Sequence, residues 1–119
     1  MELLKDICGQ FGVELNDEQI SQFNTYYEML IEWNKVMNLT SITEKNDVMY
    51  KHFADSLLIA KFKDMNEPLK VIDVGTGAGF PGIPLKIAFP ELKITLMDSL
   101  QKRLTFLDEV IKNLGLANI

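Results

Sequence analysis

The sequence holds one cysteine, one histidine and one arginine among 119 residues, and each scarcity removes a class of protein. Cys8 alone forms no internal disulfide, so a disulfide-stapled scaffold is excluded; one histidine leaves no cluster with metal-ligand spacing. No apolar run approaches the roughly 18 residues that a membrane span needs, and Glu2, Lys5 and Asp6 interrupt any signal-peptide core. We therefore expect a cytoplasmic protein with no membrane partner. A single arginine among 12 cations, with a formal charge of −5, argues against a chain that coats itself in nucleic acid. Repeats and low-complexity tracts are absent too, and 47% apolar residues with 24% charged ones set disorder aside.

What is present divides into two unlike stretches. The acidity belongs to residues 1–68, where twelve carboxylates face six lysines; the remainder is close to neutral. Residues 1–67 read as a helical section. Leu3, Leu4, Ile7 and Phe11 recur at helical spacing before Gly12, a fitting C-terminal cap, and Cys8 falls inside this pattern as a small core residue. Asn16 and Gln19 have the spacing of a capping box and begin the longest helix, whose stripe runs through Ile20, Phe23, Tyr27, Leu30 and Ile31 toward Trp33 and Met37. Val48, Met49, Phe53, Leu57 and Ala60 predict a third helix ending near Phe62.

From residue 68 onward the periodicity changes. Val71-Ile72-Asp73-Val74 predicts a buried strand that stops at Gly75, Gly77, Gly79 and Gly82. Pro81 and Pro84 suit the first turn of a short helix and Pro90 closes it. Ile94 to Met97 predicts a second strand ending at Asp98, and Leu100, Leu104, Leu107, Ile111 and Leu114 trace a helix that Gly115 caps. The order is βαβα, an α/β arrangement with parallel strands.

Asp73-Val74-Gly75-Thr76-Gly77-Ala78-Gly79 is the most informative stretch. Alternating glycines after a strand let the backbone turn sharply and lie against a ligand. Asp98 stands 23 residues after Gly75, at the end of the next strand, where a carboxylate accepts hydrogen bonds from vicinal ribose hydroxyls. Together they describe a nucleoside-binding half-site. Gly77, Gly79 and Gly82 also satisfy the dinucleotide spacing, so a fragment of an NAD-dependent oxidoreductase stays open. Pro81 offers no N–H to a pyrophosphate, and Asp73 adds negative charge beside one. An acidic loop better suits S-adenosyl-L-methionine, which carries a sulfonium and an ammonium.

The runs DVGTGAGFPGIPLKIAFP (73–90) and LMDSLQKRLTFL (96–107), with WNKVMNLTSIT (33–43) and HFADSL (52–57), resemble the RsmG (GidB) family, the ribosomal RNA small-subunit methyltransferases G. The resemblance covers essentially the whole chain. It implies a Rossmann-like class I methyltransferase fold and transfer of a methyl group from S-adenosyl-L-methionine to N7 of a guanine in 16S ribosomal RNA. By the same resemblance Gly75, Thr76, Gly77 and Gly79 pass beneath the methionine portion, Phe80 lines that pocket, Asp98 holds the ribose and Ser99 shapes the adenine side. Asn38, Thr40 and His52 become substrate-side candidates, although capping, turn or solvent-facing roles are their default. Lys102 and Arg103 read as a solvated face. No general acid or base is nominated, since guanine N7 attacks through a lone pair and loses no proton.

A doubly wound sheet has further strands beyond the two found here. We therefore expect the N-terminal half of such an enzyme: a helical cap over 1–67 and the incomplete first part of a cofactor-binding domain over 68–119. We expect it to be inactive alone and to self-associate through an open sheet edge. The small ribosomal subunit is the partner implied for the parent protein. A non-catalytic remnant or interaction module is the reading from another class.

Overall fold

Asn16 and Gln19 set the frame. In the computed structural model, which describes residues 1–119, Asn16 Oδ1 accepts from the Gln19 N–H and Gln19 Oε1 accepts from the Asn16 N–H, each at 2.8 Å. This reciprocal cap starts helix α2, Asp17–Asn34, after the shorter α1, Glu2–Gln10. The Gln19 amide also donates to the carbonyls of Ile87 and Ala88 at 3.0 and 3.2 Å. One side chain thus closes the start of one helix and the end of another.

A third helical segment, α3, covers residues 45–61 with changing pitch: α-helical at Lys45–Val48, π-helical at Met49–Ala54, α-helical at Asp55–Leu57 and 3₁₀ at Leu58–Lys61. The wide turn carries His52, and the Ser56 hydroxyl donates to the His52 carbonyl at 2.5 Å. Strand β1, Lys70–Val74, leads through the glycine loop to α4, Gly82–Ala88. Strand β2, Lys93–Met97, leads to α5, Gln101–Leu114, which Gly115 ends in the left-handed region. The two strands pair in parallel, Asp73 opposite Leu96 and Val74 opposite Met97, as a βαβ crossover requires.

Two expectations need correction. On α2 the core face takes Ile20, Phe23, Tyr26 and Leu30; Tyr27 is only half-buried, with its hydroxyl donating to the Thr43 carbonyl at 2.9 Å. Adjacent tyrosines both fit a helical stripe, and only the partner, here Phe53 and the loop carbonyl of Ala78, selects one. Strand β1 is not a buried strand either: Ile72 and Val74 are 66% and 76% exposed, while Asp73 between them is buried. Its one strand neighbour is β2.

The core is a single cluster shared by both stretches, from Leu4 and Cys8 through Phe23, Leu30 and Phe53 to Ile83, Phe106 and Val110. No helix is long and apolar enough to cross a membrane. Burial pushes the Cys8 thiol up to about 12. We expect the folded chain to withhold this thiol from a disulfide reagent at pH 8 and to release it on denaturation; rapid labelling of native protein would contradict this packing.

Candidate cofactor site

The loop after β1 is held from four directions. The N–H groups of Gly75 and Thr76 both donate to the Met97 carbonyl, at 2.8 and 3.0 Å, so the loop begins hydrogen-bonded to the end of β2. Asp98 follows immediately, and its Oδ2 accepts from the Gly77 N–H at 2.9 Å. Gly77 has φ +60, a backbone angle that disfavours any side chain, and a Cβ there would meet no protein atom within 4 Å.

Below the loop Asp73 is the hub. Its Oδ2 accepts from the Thr76 hydroxyl at 2.6 Å and from the Gly82 N–H at 3.0 Å. The acid expected to lend charge to a ligand instead spends this oxygen inward. Gly82 has no room for a side chain: a Cβ would collide with Leu96 Cδ2 and stand 3.0 Å from Asp73 Oδ2. From the helical side, Tyr26 donates to the Ala78 carbonyl at 2.5 Å, and its hydroxyl fills the space where a Cβ of Gly79 would fall. Burial, and secondarily the charge of Asp73, push the Tyr26 phenol well above its ordinary value and keep it a donor.

The fourth hold is aromatic. Phe80 lies within 5.7 and 6.0 Å of the Tyr26 and Phe53 rings, and His52 stacks on it at 4.3 Å with the planes 7° apart. His52 Nε2 is 2.8 Å from the Thr40 hydroxyl oxygen. Asn34 shapes that segment, its Oδ1 accepting from the N–H groups of Leu39 and Thr40 at 2.8 and 3.0 Å. Desolvation lowers the His52 pKa, against a smaller opposing effect of Asp55.

Between the loop and the end of β2 opens a cleft of about 450 Å³ lined by Val74, Gly75, Met97, Asp98, Ser99 and Arg103. Two backbone N–H donors, Leu100 first and Gly77 second, hold the Asp98 carboxyl below the usual carboxylate range, with Arg103 adding to the effect. Arg103 Nη1 is 3.5 Å from Asp98 Oδ1. An arginine expected on a solvated face therefore borders the cleft. A carboxylate lining the cleft and a glycine floor without side chains fit a nucleoside cofactor.

The expected site residues separate on this geometry. Gly75, Asp98 and Ser99 border the cleft, and Gly77 is joined to it through Asp98. The Thr76 side chain points down to Asp73, Gly79 is buried under Tyr26, and Phe80 faces the helical section. Thr40 and His52 meet each other and Phe80. Asn38 stays apart, exposed in a neighbouring groove with Val36, Met37, Leu100, Lys102 and Arg103. The capping bonds expected near Asn38 come from Asn34 instead. Tyr26, Asn34 and Arg103 were not picked out as site residues by sequence reasoning. Only the run from Trp33-Asn34 to Asn38-Leu39-Thr40 hinted at one of them. No group of three or more His, Cys, Asp or Glu is placed to hold a metal ion.

A family model described as rRNA small subunit methyltransferase G matches residues 19–119. The chain is 50% identical over 119 residues to a "Ribosomal RNA small subunit methyltransferase G" of Staphylococcus haemolyticus, covering all of this chain and 50% of the relative. It is 54% identical over 117 residues to the protein of that name in Alkaliphilus metalliredigens, covering 98% and 49%. With the one from Thermoanaerobacter sp. the identity is 52% over 119 residues, covering 100% and 50%. The chain thus spans about half the length of the curated relatives it matches.

Proposed function

The chain belongs to the rRNA small subunit methyltransferase G family, and from that premise we propose that the whole protein transfers a methyl group from S-adenosyl-L-methionine to N7 of a guanine in 16S ribosomal RNA. The observation that carries the cofactor reading is the cleft itself. A glycine loop hydrogen-bonded to the end of β2 and a carboxylate kept ionised at neutral pH face one space.

Bound there, the cofactor supplies an electrophilic methyl group on a sulfonium. Asp98 accepts from the ribose hydroxyls while it also holds the N–H groups of Leu100 and Gly77, so ribose recognition and loop shape share one carboxylate. The Gly75 and Gly77 backbone forms the floor under the methionine portion. Ser99, exposed at the rim, stands toward the adenine side. Guanine N7 forms the new N–C bond as the C–S bond breaks, and no proton leaves N7. The chain therefore has to align two reactants rather than supply a base, and placement is worth several orders of magnitude in rate. Asn38 remains a separate candidate for the RNA side. We also assign residues 1–67 the role of a helical cap on the cofactor-binding part that begins at 68.

Titrating S-adenosylhomocysteine and NAD into the whole protein tests this reading, followed by methylation of small-subunit RNA and mapping of the product to guanine N7. Binding of the first ligand alone, with an N7 product, is expected. Binding of NAD alone would return the chain to the oxidoreductases. Binding of neither would leave a non-catalytic module.

A further inference from the structure

The contact of His52 with Phe80 reaches from the helical section to the cofactor loop. Phe80 is the residue at which the loop leaves the cleft floor: its N–H donates to the Thr76 carbonyl at 3.1 Å, and Pro81 follows as the cap of α4. Its ring is wedged between Tyr26 and Phe53 on one side and His52 on another. His52 in turn is placed by two features: the wide π-helical turn that carries it, and the 2.8 Å contact with the Thr40 hydroxyl. Thr40 is fixed through Asn34 and accepts the Ile42 N–H at 3.1 Å. An unbroken chain of contacts therefore runs Asn34, Thr40, His52, Phe80, glycine loop.

We propose that His52 is a positioning residue for the cofactor loop: held by Thr40, its ring clamps Phe80 and so sets the affinity for S-adenosyl-L-methionine without touching the transferred methyl group or the guanine. This rests on the cofactor reading above. A parallel stack at 4.3 Å uses one face of the imidazole on Phe80, and the Nε2 edge is occupied by Thr40. A wide turn is a common device for aiming a side chain at a functional site, which is what its placement under His52 does. Burial disfavours the imidazolium, against a smaller opposing effect of Asp55.

The test measures KM for S-adenosyl-L-methionine, kcat on small-subunit RNA and affinity for S-adenosylhomocysteine in the whole protein. His52→Ala removes both stack and hydrogen bond and should raise KM about thirtyfold with kcat within twofold. Thr40→Val keeps the stack but removes the hydrogen bond to His52, together with the acceptor of the Ile42 N–H, and should raise KM about fivefold. His52→Phe keeps a ring on Phe80 and should match Thr40→Val, rescuing most of the alanine loss. In a Phe80→Leu background, His52→Ala should add less than twofold, since its action runs through that ring. A fall in kcat at unchanged KM would overturn the proposal and place His52 against the guanine. An undiminished effect in the Phe80→Leu background would overturn it as well, leaving a general folding role. If the unmodified protein binds no S-adenosylhomocysteine, the functional reading falls and this inference with it. Normal binding that His52→Ala leaves unmoved sinks this inference alone.

Discussion

Asp98→Ala is expected to weaken S-adenosylhomocysteine binding by the whole protein about a hundredfold. The carboxylate does two things that alanine cannot. It accepts the Gly77 N–H at 2.9 Å, which holds the loop to the end of β2, and on the proposed reading it accepts from the ribose hydroxyls. Hydrogen bonds to charged groups contribute roughly 1.5 to 3 kcal/mol each, so loss of the ribose bonds alone reaches this size. Asp98→Asn keeps one acceptor oxygen and should fall between, near tenfold. Arg103→Ala should cost less than threefold, because its contact at 3.5 Å is long and the N–H groups of Gly77 and Leu100 still hold the carboxylate in place. Asp98→Ala binding within threefold of the unmodified protein would remove Asp98 from the site.

The pH dependence follows from the sign of the shift. The folded Asp98 carboxyl lies below its ordinary value of 3.8. Its contribution to stability is therefore fully present above that value and is lost only as pH falls through the lower folded one. Ligand affinity that depends on the ionised form should be flat across neutral and mildly acidic pH as far as this group is concerned.

The elements governed by local chemistry were legible in the sequence. The reciprocal cap at Asn16 and Gln19, the two strands ending at Val74 and Met97, and the left-handed stop at Gly115 each depend on residues within one element and its ends. So was the pairing of loop and Asp98, because parallel strands joined by a helix bring successive strand ends together. What escaped depends on partners distant in the chain. Tyr26 and Tyr27 are equivalent to a periodicity argument, and 52 residues separate Tyr26 from the carbonyl that chooses it. The π-helical turn has no signature in hydrophobic spacing, since the apolar positions around His52 also fit an ordinary helix. Asp73 looked like a ligand group by its place at the strand end; its inward role appears only once Gly82 and Thr76 have folded over it. The exposure of Ile72 and Val74 is a property of what lies beside the strand, and an apolar run by itself reads as buried.

The inward role of Asp73 carries the largest expected effect on stability. Asp73→Ala should lower the unfolding free energy of the whole protein by about 3 kcal/mol, since it leaves the Thr76 hydroxyl and the Gly82 N–H without an acceptor, at roughly 1 to 3 kcal/mol for each buried orphan. Asp73→Asn preserves an acceptor in the same place and should recover most of the loss. Gly82→Ala should cost about 2 kcal/mol by forcing a carbon into occupied space. The two sites are coupled in a direction the geometry fixes. The new Cβ stands 3.0 Å from Asp73 Oδ2, an atom held by two hydrogen bonds, whereas the colliding Leu96 Cδ2 ends a side chain that can rotate away. Removing the carboxylate therefore relieves the less yielding of the two clashes. The Asp73→Ala, Gly82→Ala double variant should be more stable than the sum of the single losses predicts, by about 1 kcal/mol. Denaturant titration of the four proteins reads this directly; strictly additive losses would mean that α4 shifts as a body to accept the methyl group, and that Asp73 does not fix its distance from β1.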